Sequence, residues 1–215
     1  MNLKNITRAK LLAYVEKQLA QSIPDGRPVH AKLEQDFDEA LSRLATCINA
    51  VRAWKQDEFD YLHSSQYCTF IYFLANTIWR NRQQSEVPTK LFLLNKLLNG
   101  IDCFYEIAMP EIFFIGHSVG IVLAKAAYGN YLVLYQNSTV GKNHGVAPVI
   151  GERVVMYPDT AIIGRSNVRS GSVLSRGTGV INHDTPGDCL VFGSGDGQLA
   201  FKPASRDIPA DFFRF

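Results

Sequence analysis

The stretch from Ile150 to Val180, IGERVVMYPDTAIIGRSNVRSGSVLSRGTGV, carries a six-residue period that decides the fold. Every sixth residue is apolar: Ile150, Met156, Ile162, Val168, Leu174 and Val180. The residue four places after each of the first five is small or β-branched: Val154, Thr160, Ser166, Ser172 and Thr178. An amphipathic helix repeats every ~3.6 residues and a half-buried strand every ~2, so this period fits neither. It is typical of hexapeptide repeats that wind into a parallel β-helix.

Each hexad of such a repeat forms one short strand and one turn, and three hexads form one triangular coil. The apolar residue fills the interior of the prism, and the small residue lies where the wall turns. Glycine is favoured at turns that need a left-handed backbone, because it has no Cβ. The glycines that we assign to these turns are Gly151, Gly164, Gly171 and Gly177.

The period also extends towards the N-terminus, with one interruption. Val122 with Ala126, Leu134 with Ser138, and Val140 are placed in the same phase. From Val140 to Ile150 the step is ten residues instead of six, so four extra residues should project as a loop around 141–148. Loops that leave a regular scaffold often carry function.

Residues 1–100 have a helical period instead. An early helix is predicted from the apolar positions Ile6, Ala9, Leu12, Val15 and Leu19. A second is predicted from Leu33, Phe37, Ala40, Leu41, Leu44, Ile48 and Val51. A third, mostly apolar, covers 67–80, and a fourth opens at Pro88 and ends at Gly100 with Leu91, Leu94, Leu97 and Leu98 inward. We therefore predict an α+β chain: a helical domain (1–100), a β-helix (101–195) and a tail (196–215).

Composition excludes several classes of protein. The 215 residues carry 22 Lys+Arg against 20 Asp+Glu, and a net charge of +2 is too balanced for a protein that mainly holds nucleic acid. The four cysteines, at 47, 68, 103 and 189, form no CxxC pair, which argues against a zinc ribbon or a disulfide framework. The longest apolar stretch, 68–79, is shorter than the ~18 residues of a membrane span. With no recognisable export signal, we expect a cytoplasmic protein.

One motif resembles a known family. Residues 116–122, GHSVGIV, are similar to the D-H-[AP]-x-G-I-V motif around the catalytic histidine of serine acetyltransferases. Asp102, fifteen residues before His117, matches the aspartate of that family at the same separation. The resemblance covers roughly residues 55–203 and is strongest over 101–185. It implies a left-handed parallel β-helix and acetyl-CoA as the donor. It also implies a homotrimer with active sites between subunits, and in some assemblies two trimers join through the helical domains.

The chemistry of acetyl transfer to an alcohol suits His117 and Asp102. A neutral histidine, with an ordinary pKa of ~6.5, can remove the hydroxyl proton near neutral pH. A carboxylate on the other ring nitrogen fixes the tautomer and stabilises the imidazolium that forms. We expect His117 to be the base and Asp102 to orient it. A turn histidine and a helix-terminal aspartate are the structural alternatives.

The resemblance also suggests acceptor-binding positions. His144 lies in the predicted loop, three residues further from Pro148 than the family's second histidine, and a solvated polar residue of the loop is the alternative. Asp60 lies near the family's acidic acceptor-binding residue, although an acidic turn or helix cap would explain it too. Gly116 replaces the family's aspartate that contacts the ammonium group of serine.

Three cations are candidates for the phosphates of acetyl-CoA in the groove between adjacent β-helices: Arg165, Arg176 and Lys202. Each is also explained as a surface charge. The glycine-rich run 193–197 lacks the strand–helix context and the Lys-Ser/Thr ending of a phosphate loop, so we interpret it as the exit from the β-helix.

Three departures from the family pattern determine which functions we consider. Besides Gly116, the arginine of the family's loop is missing, and the tail ends at Phe215, whereas family members that dock into cysteine synthase end in isoleucine. We therefore favour an O-acetyltransferase acting on a sugar or a polysaccharide precursor. Serine O-acetylation in cysteine biosynthesis and a non-catalytic β-helix scaffold are the alternatives. A zinc enzyme built on His117, His144 and His183 across subunits is a third, and we expect no metal.

Overall fold

The structure is a computed structural model that describes residues 1–193 and 198–215; four residues of the glycine-rich run, 194–197, lie outside it. The N-terminal region contains five helices: α1 (Arg8–Ser22), α2 (His30–Glu34), α3 (Phe37–Ala50), α4 (Ser64–Arg82) and α5 (Glu86–Asn99). Two short parallel strands, β1 (Asn2–Leu3) and β2 (Glu58–Phe59), flank α1–α3 in sequence. Gly100 ends α5 with a left-handed backbone, φ 63°. The predicted helical region is therefore present.

Two details of the helices differ from the prediction. The stripe from Leu33 to Val51 does not form one helix, because the chain breaks at Gln35–Asp36. Asp36 is buried there, and its carboxylate accepts hydrogen bonds from Arg82 and Asn81 at 3.1 and 2.9 Å. In α5, Leu91 and Leu94 are buried as expected.

Leu97 and Leu98, predicted to point inward, are instead 67% and 48% exposed. The helix presents Leu91, Leu94 and Asn95 to its neighbours α4 and α1, which leaves the two leucines of its last turn on the outside of the protomer.

After α5 the chain winds into a parallel β-solenoid with three walls. Sheet I contains β4 (Phe113–Ile115), β7 (Leu132–Leu134), β10 (Val155–Met156), β13 (Val173–Leu174) and β15 (Cys189–Gly193). Sheet II contains β3 (Asp102–Cys103), β5 (Val122–Leu123), β8 (Thr139–Gly141), β11 (Ala161–Ile163) and β14 (Gly179–Ile181). Sheet III contains β6 (Ala127–Tyr128), β9 (Val149–Ile150) and β12 (Asn167–Val168). A final strand, β16 (Leu199–Pro203), pairs antiparallel with β15.

The register confirms the six-residue period. Ile150 pairs with Val168 and Ile162 with Val180, which sets eighteen residues per coil. All six apolar positions of the repeat are at most 2% exposed, and their small partners are buried as well. The neighbouring pair Val140 and Ile162 is 22 residues apart, so the four extra residues are real. They lie between β8 and β9, as the sequence predicted.

Before Val140 the predicted phase is confirmed at Leu134 and Ser138, which are buried, but it is shifted by one residue at Val122. Val140 pairs with Leu123, which is buried, whereas Val122 is 46% exposed. This coil is one residue shorter than the regular eighteen, so the inward position moves from Val122 to its neighbour. Among the predicted turn glycines, Gly164, Gly171 and Gly177 have left-handed backbones, but Gly151 does not. Gly151 is required for space, because a Cβ there would lie 2.6 Å from the Ser170 backbone nitrogen.

The C-terminal residues return to the helical region. A 3₁₀ turn at Pro209–Asp211 leads into Phe213, which is fully buried and forms an antiparallel bridge with Val51. The Arg214 guanidinium donates to four backbone carbonyls between positions 49 and 54, at 2.6 to 3.2 Å. The tail thereby ties the β-helix to the helices. In the part of the chain that the structure describes, no helix has the length and apolarity needed to cross a membrane.

Candidate active site

His117 lies at a corner of the solenoid that is longer than its counterparts. This His117 corner, residues 116–121, joins β4 of sheet I to β5 of sheet II. Seven positions separate Ile115 from Val122, whereas five separate their partners Leu134 and Thr139 in the next coil. The two extra residues push the corner outward, and the His117 side chain is exposed. Its imidazole is therefore accessible to a substrate.

The helical region fixes this corner by hydrogen bonds. The Ser118 hydroxyl donates to the Asn99 carbonyl at 2.7 Å, and the Gly120 amide donates to the Gly100 carbonyl at 3.0 Å. From the start of α4, the Ser65 hydroxyl donates to the Gly116 carbonyl at 3.2 Å. The ends of two helices thus hold the peptide on both sides of His117.

Asp102 lies on β3, in register with Val122 one coil further on. Its carboxylate accepts a hydrogen bond from the Lys96 ammonium at 2.6 Å. Within residues 1–193 and 198–215, no hydrogen bond joins Asp102 to His117. The sequence analysis did not predict the ion pair with Lys96. The position of Lys96 in the last turn of a helix that ends just before Asp102 could have indicated it. The role of Asp102 as orienter stays a prediction.

This geometry yields a test of Asp102. We expect Asp102→Asn to lower kcat for acetyl transfer about 10-fold or more, because an amide stabilises an imidazolium poorly. Lys96→Met should change kcat by less than about threefold, since exposed ion pairs contribute only ~0–1 kcal/mol. Steady-state rates of both variants at saturating substrates decide the matter. An equal loss in the two variants would mean that Asp102 acts through Lys96 and not on the histidine.

Asp60 occupies the turn between β2 and α4, close to the N-terminal strand β1. Its carboxylate accepts a hydrogen bond from the Lys4 ammonium at 2.7 Å and another from the Leu62 amide at 3.0 Å. The Lys4 ammonium holds the pKa of Asp60 below its usual range. Asp60 is thus an ion-paired carboxylate in a turn, five residues before the Ser65 that contacts Gly116. Its predicted part in acceptor binding remains a prediction.

His144 lies at the tip of a tight hairpin. The amide of Asn143 donates to the Val146 carbonyl at 2.9 Å, and the reverse bond is 3.0 Å. His144 and Gly145 both have left-handed backbones, φ 48° and 79°, as in the two-residue turns of β-hairpins. The four extra residues are thereby used in a compact turn with His144 exposed at its end.

The three histidines of the solenoid divide between two of its corners. His144 and His183 follow β8 and β14, on the corner between sheets II and III, whereas His117 is on the corner between sheets I and II. A single protomer therefore does not bring His144 to His117. Among the described residues, no group of three His, Cys, Asp or Glu side chains is arranged to hold a metal ion.

The three predicted cations have different environments. Arg165 is exposed on the His144 side, and among the described residues only its backbone amide forms a hydrogen bond, to Asn182 Oδ1 at 2.9 Å. Arg176 shares the sheet I–II corner with His117 and donates to Asp159 at 3.1 Å. Lys202 lies on β16 with its ammonium 5.4 Å from the centre of the Phe192 ring.

An aromatic wall beside His117 was not predicted from the sequence. The Tyr135 ring centre lies 6.3 Å from that of His117, and Phe114 lies 6.5 Å from Tyr135. Trp54 follows at 5.5 Å from Phe114, and it also contacts the His63 ring at 6.2 Å. These residues come from four separate parts of the chain, so no local pattern signals them.

The three-walled solenoid with eighteen-residue coils makes the chain a hexapeptide-repeat protein. Its whole architecture is that of serine acetyltransferases. The structure superimposes on serine acetyltransferase from Vibrio cholerae with a TM-score of 0.71, at 18% identity, over 96% of this chain and 84% of the other. A serine acetyltransferase in complex with CoA gives a TM-score of 0.70 at 18% identity, over 93% and 86% of the two chains. The predicted fold, helices followed by a left-handed β-helix, is confirmed.

The sequence comparison points the same way. The serine acetyltransferase of Synechococcus elongatus is 29% identical over 143 residues, or 62% of this chain. The chain spans 56% of the length of that relative. No family model matches the chain. The chain is thus similar to serine acetyltransferases in sequence and in fold.

Proposed function

We propose that the protein is an acetyl-CoA-dependent O-acetyltransferase. The observation that carries the proposal is the exposed His117 on a lengthened corner of the solenoid, within a segment similar to the catalytic motif of serine acetyltransferases. The sequence relative and the two structural neighbours described above are serine acetyltransferases, which supports the same activity. A cytoplasmic location is part of this proposal, since all four cysteines are free and buried.

The reaction assigns one task to His117. Its neutral imidazole accepts the proton of the acceptor hydroxyl as the oxygen attacks the thioester carbon. The new C–O bond forms and the C–S bond breaks, and the imidazolium returns the proton to the departing thiolate of CoA. Asp102 would stabilise the transient imidazolium once its carboxylate turns from Lys96 to the histidine.

A single protomer supplies only part of the proposed site for acetyl-CoA. Arg165, whose side chain is exposed and without a hydrogen bond in the described residues, is the cation best placed to meet a phosphate. It lies on the same corner as His144, away from His117. A homotrimer would bring the sheet II–III corner of one copy to the sheet I–II corner of the next. We therefore propose that the donor site is shared between subunits, with or without pairing of two trimers.

Serine is the acceptor that the comparisons favour, and they give no support to the sugar acceptor expected from the sequence. Two differences from the family motif still apply to serine binding: position 116 has no carboxylate, and the hairpin has no arginine. Serine O-acetylation is therefore our first choice, and we expect the ammonium of serine to be recognised weakly.

An acceptor screen tests the proposal. We expect release of free CoA from acetyl-CoA when L-serine is added, with homoserine and sugar nucleotides as parallel acceptors. The measurement is the rate of thiol formation over the rate without acceptor, together with mass analysis of the O-acetyl product. A sugar nucleotide that exceeds serine would restore the sugar hypothesis. No acceptor-dependent release from a folded, oligomeric protein would leave the non-catalytic scaffold as the better interpretation.

A further inference from the structure

Tyr135 occupies the space that a side chain at position 116 would need. A Cβ atom built on Gly116 would lie 2.6 Å from Cε1, 2.9 Å from Cδ1 and 3.0 Å from Cζ of the tyrosine ring. Carbon atoms in contact are normally ~3.5–4.0 Å apart, so only glycine fits beside the ring where it stands. The hydroxyl oxygen of Tyr135 is bonded to Cζ, and it is therefore also close to residue 116.

The ring is held in this position by other aromatic side chains. Tyr157, one coil further on, stacks on it with a centroid distance of 5.7 Å and an interplanar angle of 22°. Phe114 and Phe212 meet it edge-on at 6.5 and 6.2 Å. Since Phe212 belongs to the tail, the tail helps to fix a residue that adjoins His117. Tyr135 is thus a positioned group and not a freely rotating surface side chain.

The Tyr135 hydroxyl is without a hydrogen bond in the described part of the chain. By contrast, the hydroxyls of Tyr72 and Tyr128 donate to backbone carbonyls at 2.7 and 2.6 Å. Burial and the neighbouring Tyr157 raise the pKa of Tyr135, so the phenol is a neutral hydrogen-bond donor at physiological pH. Because polar groups of folded proteins are normally paired, the Tyr135 hydroxyl is a donor available to a ligand.

We propose that Tyr135 is a specificity-determining residue of the acceptor site, donating a hydrogen bond to an oxygen atom of the acceptor beside the hydroxyl that His117 activates. This inference rests on the proposed function. A carboxylate at position 116 would select an ammonium group, whereas a phenol selects an acceptor oxygen. That oxygen can belong to a carboxylate, as in a hydroxy acid or an amino acid, or to a second hydroxyl, as in a polyol.

The test compares Tyr135→Phe with the wild type, using the best acceptor from the screen. Phenylalanine keeps the ring and its stacking and removes only the donor. We expect the KM for the acceptor to rise about 10-fold, as for a lost hydrogen bond, with kcat and the KM for acetyl-CoA within about twofold of the wild type. Tyr157→Phe is the matched control, because it removes a hydroxyl from the same stack but not from beside Gly116, and its acceptor KM should not change.

The outcomes separate this inference from the proposed function. A wild-type enzyme that transfers acetyl groups, together with a Tyr135→Phe variant of unchanged acceptor KM, overturns the role of Tyr135 alone. Equal rises in both tyrosine variants overturn it too, since the effect would come from the stack. Failure of the wild type to acetylate any acceptor overturns both proposals. L-serine and glycerol are compared to separate the two oxygen sources. If Tyr135 contacts a hydroxyl group, Tyr135→Phe should raise the KM for glycerol more than the KM for serine. If it contacts a carboxylate, the KM for serine should rise more.

Discussion

Replacing His117 with glutamine should lower kcat for acetyl transfer about 10²–10⁴-fold, because glutamine cannot accept the proton of the acceptor hydroxyl. The side chain is exposed on a corner whose peptide groups are held by Ser65, Ser118 and Gly120. The substitution should therefore leave the fold intact and change the chemistry. The measurement is CoA release at saturating acetyl-CoA and acceptor, with the KM for acetyl-CoA as a second readout that we expect to stay within about twofold.

His30→Gln is the matched control for this variant. His30 is also exposed, but it lies on α2 in the helical region, where its imidazole is 3.0 Å from the Glu16 carboxylate. Its loss should leave kcat unchanged. A His117→Gln enzyme that keeps a third or more of the wild-type rate, with an unchanged melting curve, would remove His117 from the mechanism.

Replacing Phe213 with alanine should destabilise the protein by about 3–5 kcal/mol, the usual cost of deleting a fully buried phenylalanine. Phe213 is completely buried, and its backbone bridges to Val51 between the helices and the solenoid. Its ring also packs against Tyr131 at 5.4 Å. The cavity would open where the tail joins two parts of the chain that are distant in sequence, so little local collapse can compensate.

Urea titration at a fixed protomer concentration measures this effect, since assembly would otherwise shift the midpoint. Phe215→Ala is the control: that ring is 61% exposed and lies over the Arg153 guanidinium at 4.5 Å, a contact typically worth ~0.5–1 kcal/mol. If the two phenylalanine variants lose equal stability, the tail is not the link between the two regions that its contacts describe.

The repeat was predictable because its signal is local. Each coil buries one apolar and one small residue per hexad, so the sequence from 150 to 180 specifies which residues point inward without knowledge of any partner. The four-residue insertion before Ile150 was predictable for the same reason. The phase error at Val122 shows the limit: one missing residue in a coil shifts the inward position, and only the pairing of Leu123 with Val140 reveals it.

The candidate site was predictable in part. The motif located the His117 corner and suggested Asp102. However, the ion pair with Lys96 depends on where α5 ends in space, and the Tyr135 ring reaches Gly116 from the following coil. The aromatic wall joins residues from the segments before and after β2 and from two coils of the solenoid. Such contacts are set by how the coils stack, and no local sequence pattern specifies them.

The reversal of direction at β16 bears on the solubility of the whole molecule. A solenoid of parallel strands exposes unpaired amide and carbonyl groups at its open end, where another chain could add and extend it into a filament. Because β16 runs antiparallel to β15, it presents the wrong polarity for a further coil. This edge also carries the exposed charge of Lys202, and Pro203, which lacks an amide hydrogen. Lys202, which is a predicted phosphate-binding residue, therefore places a charge on this edge strand, and such charges disfavour the addition of another chain.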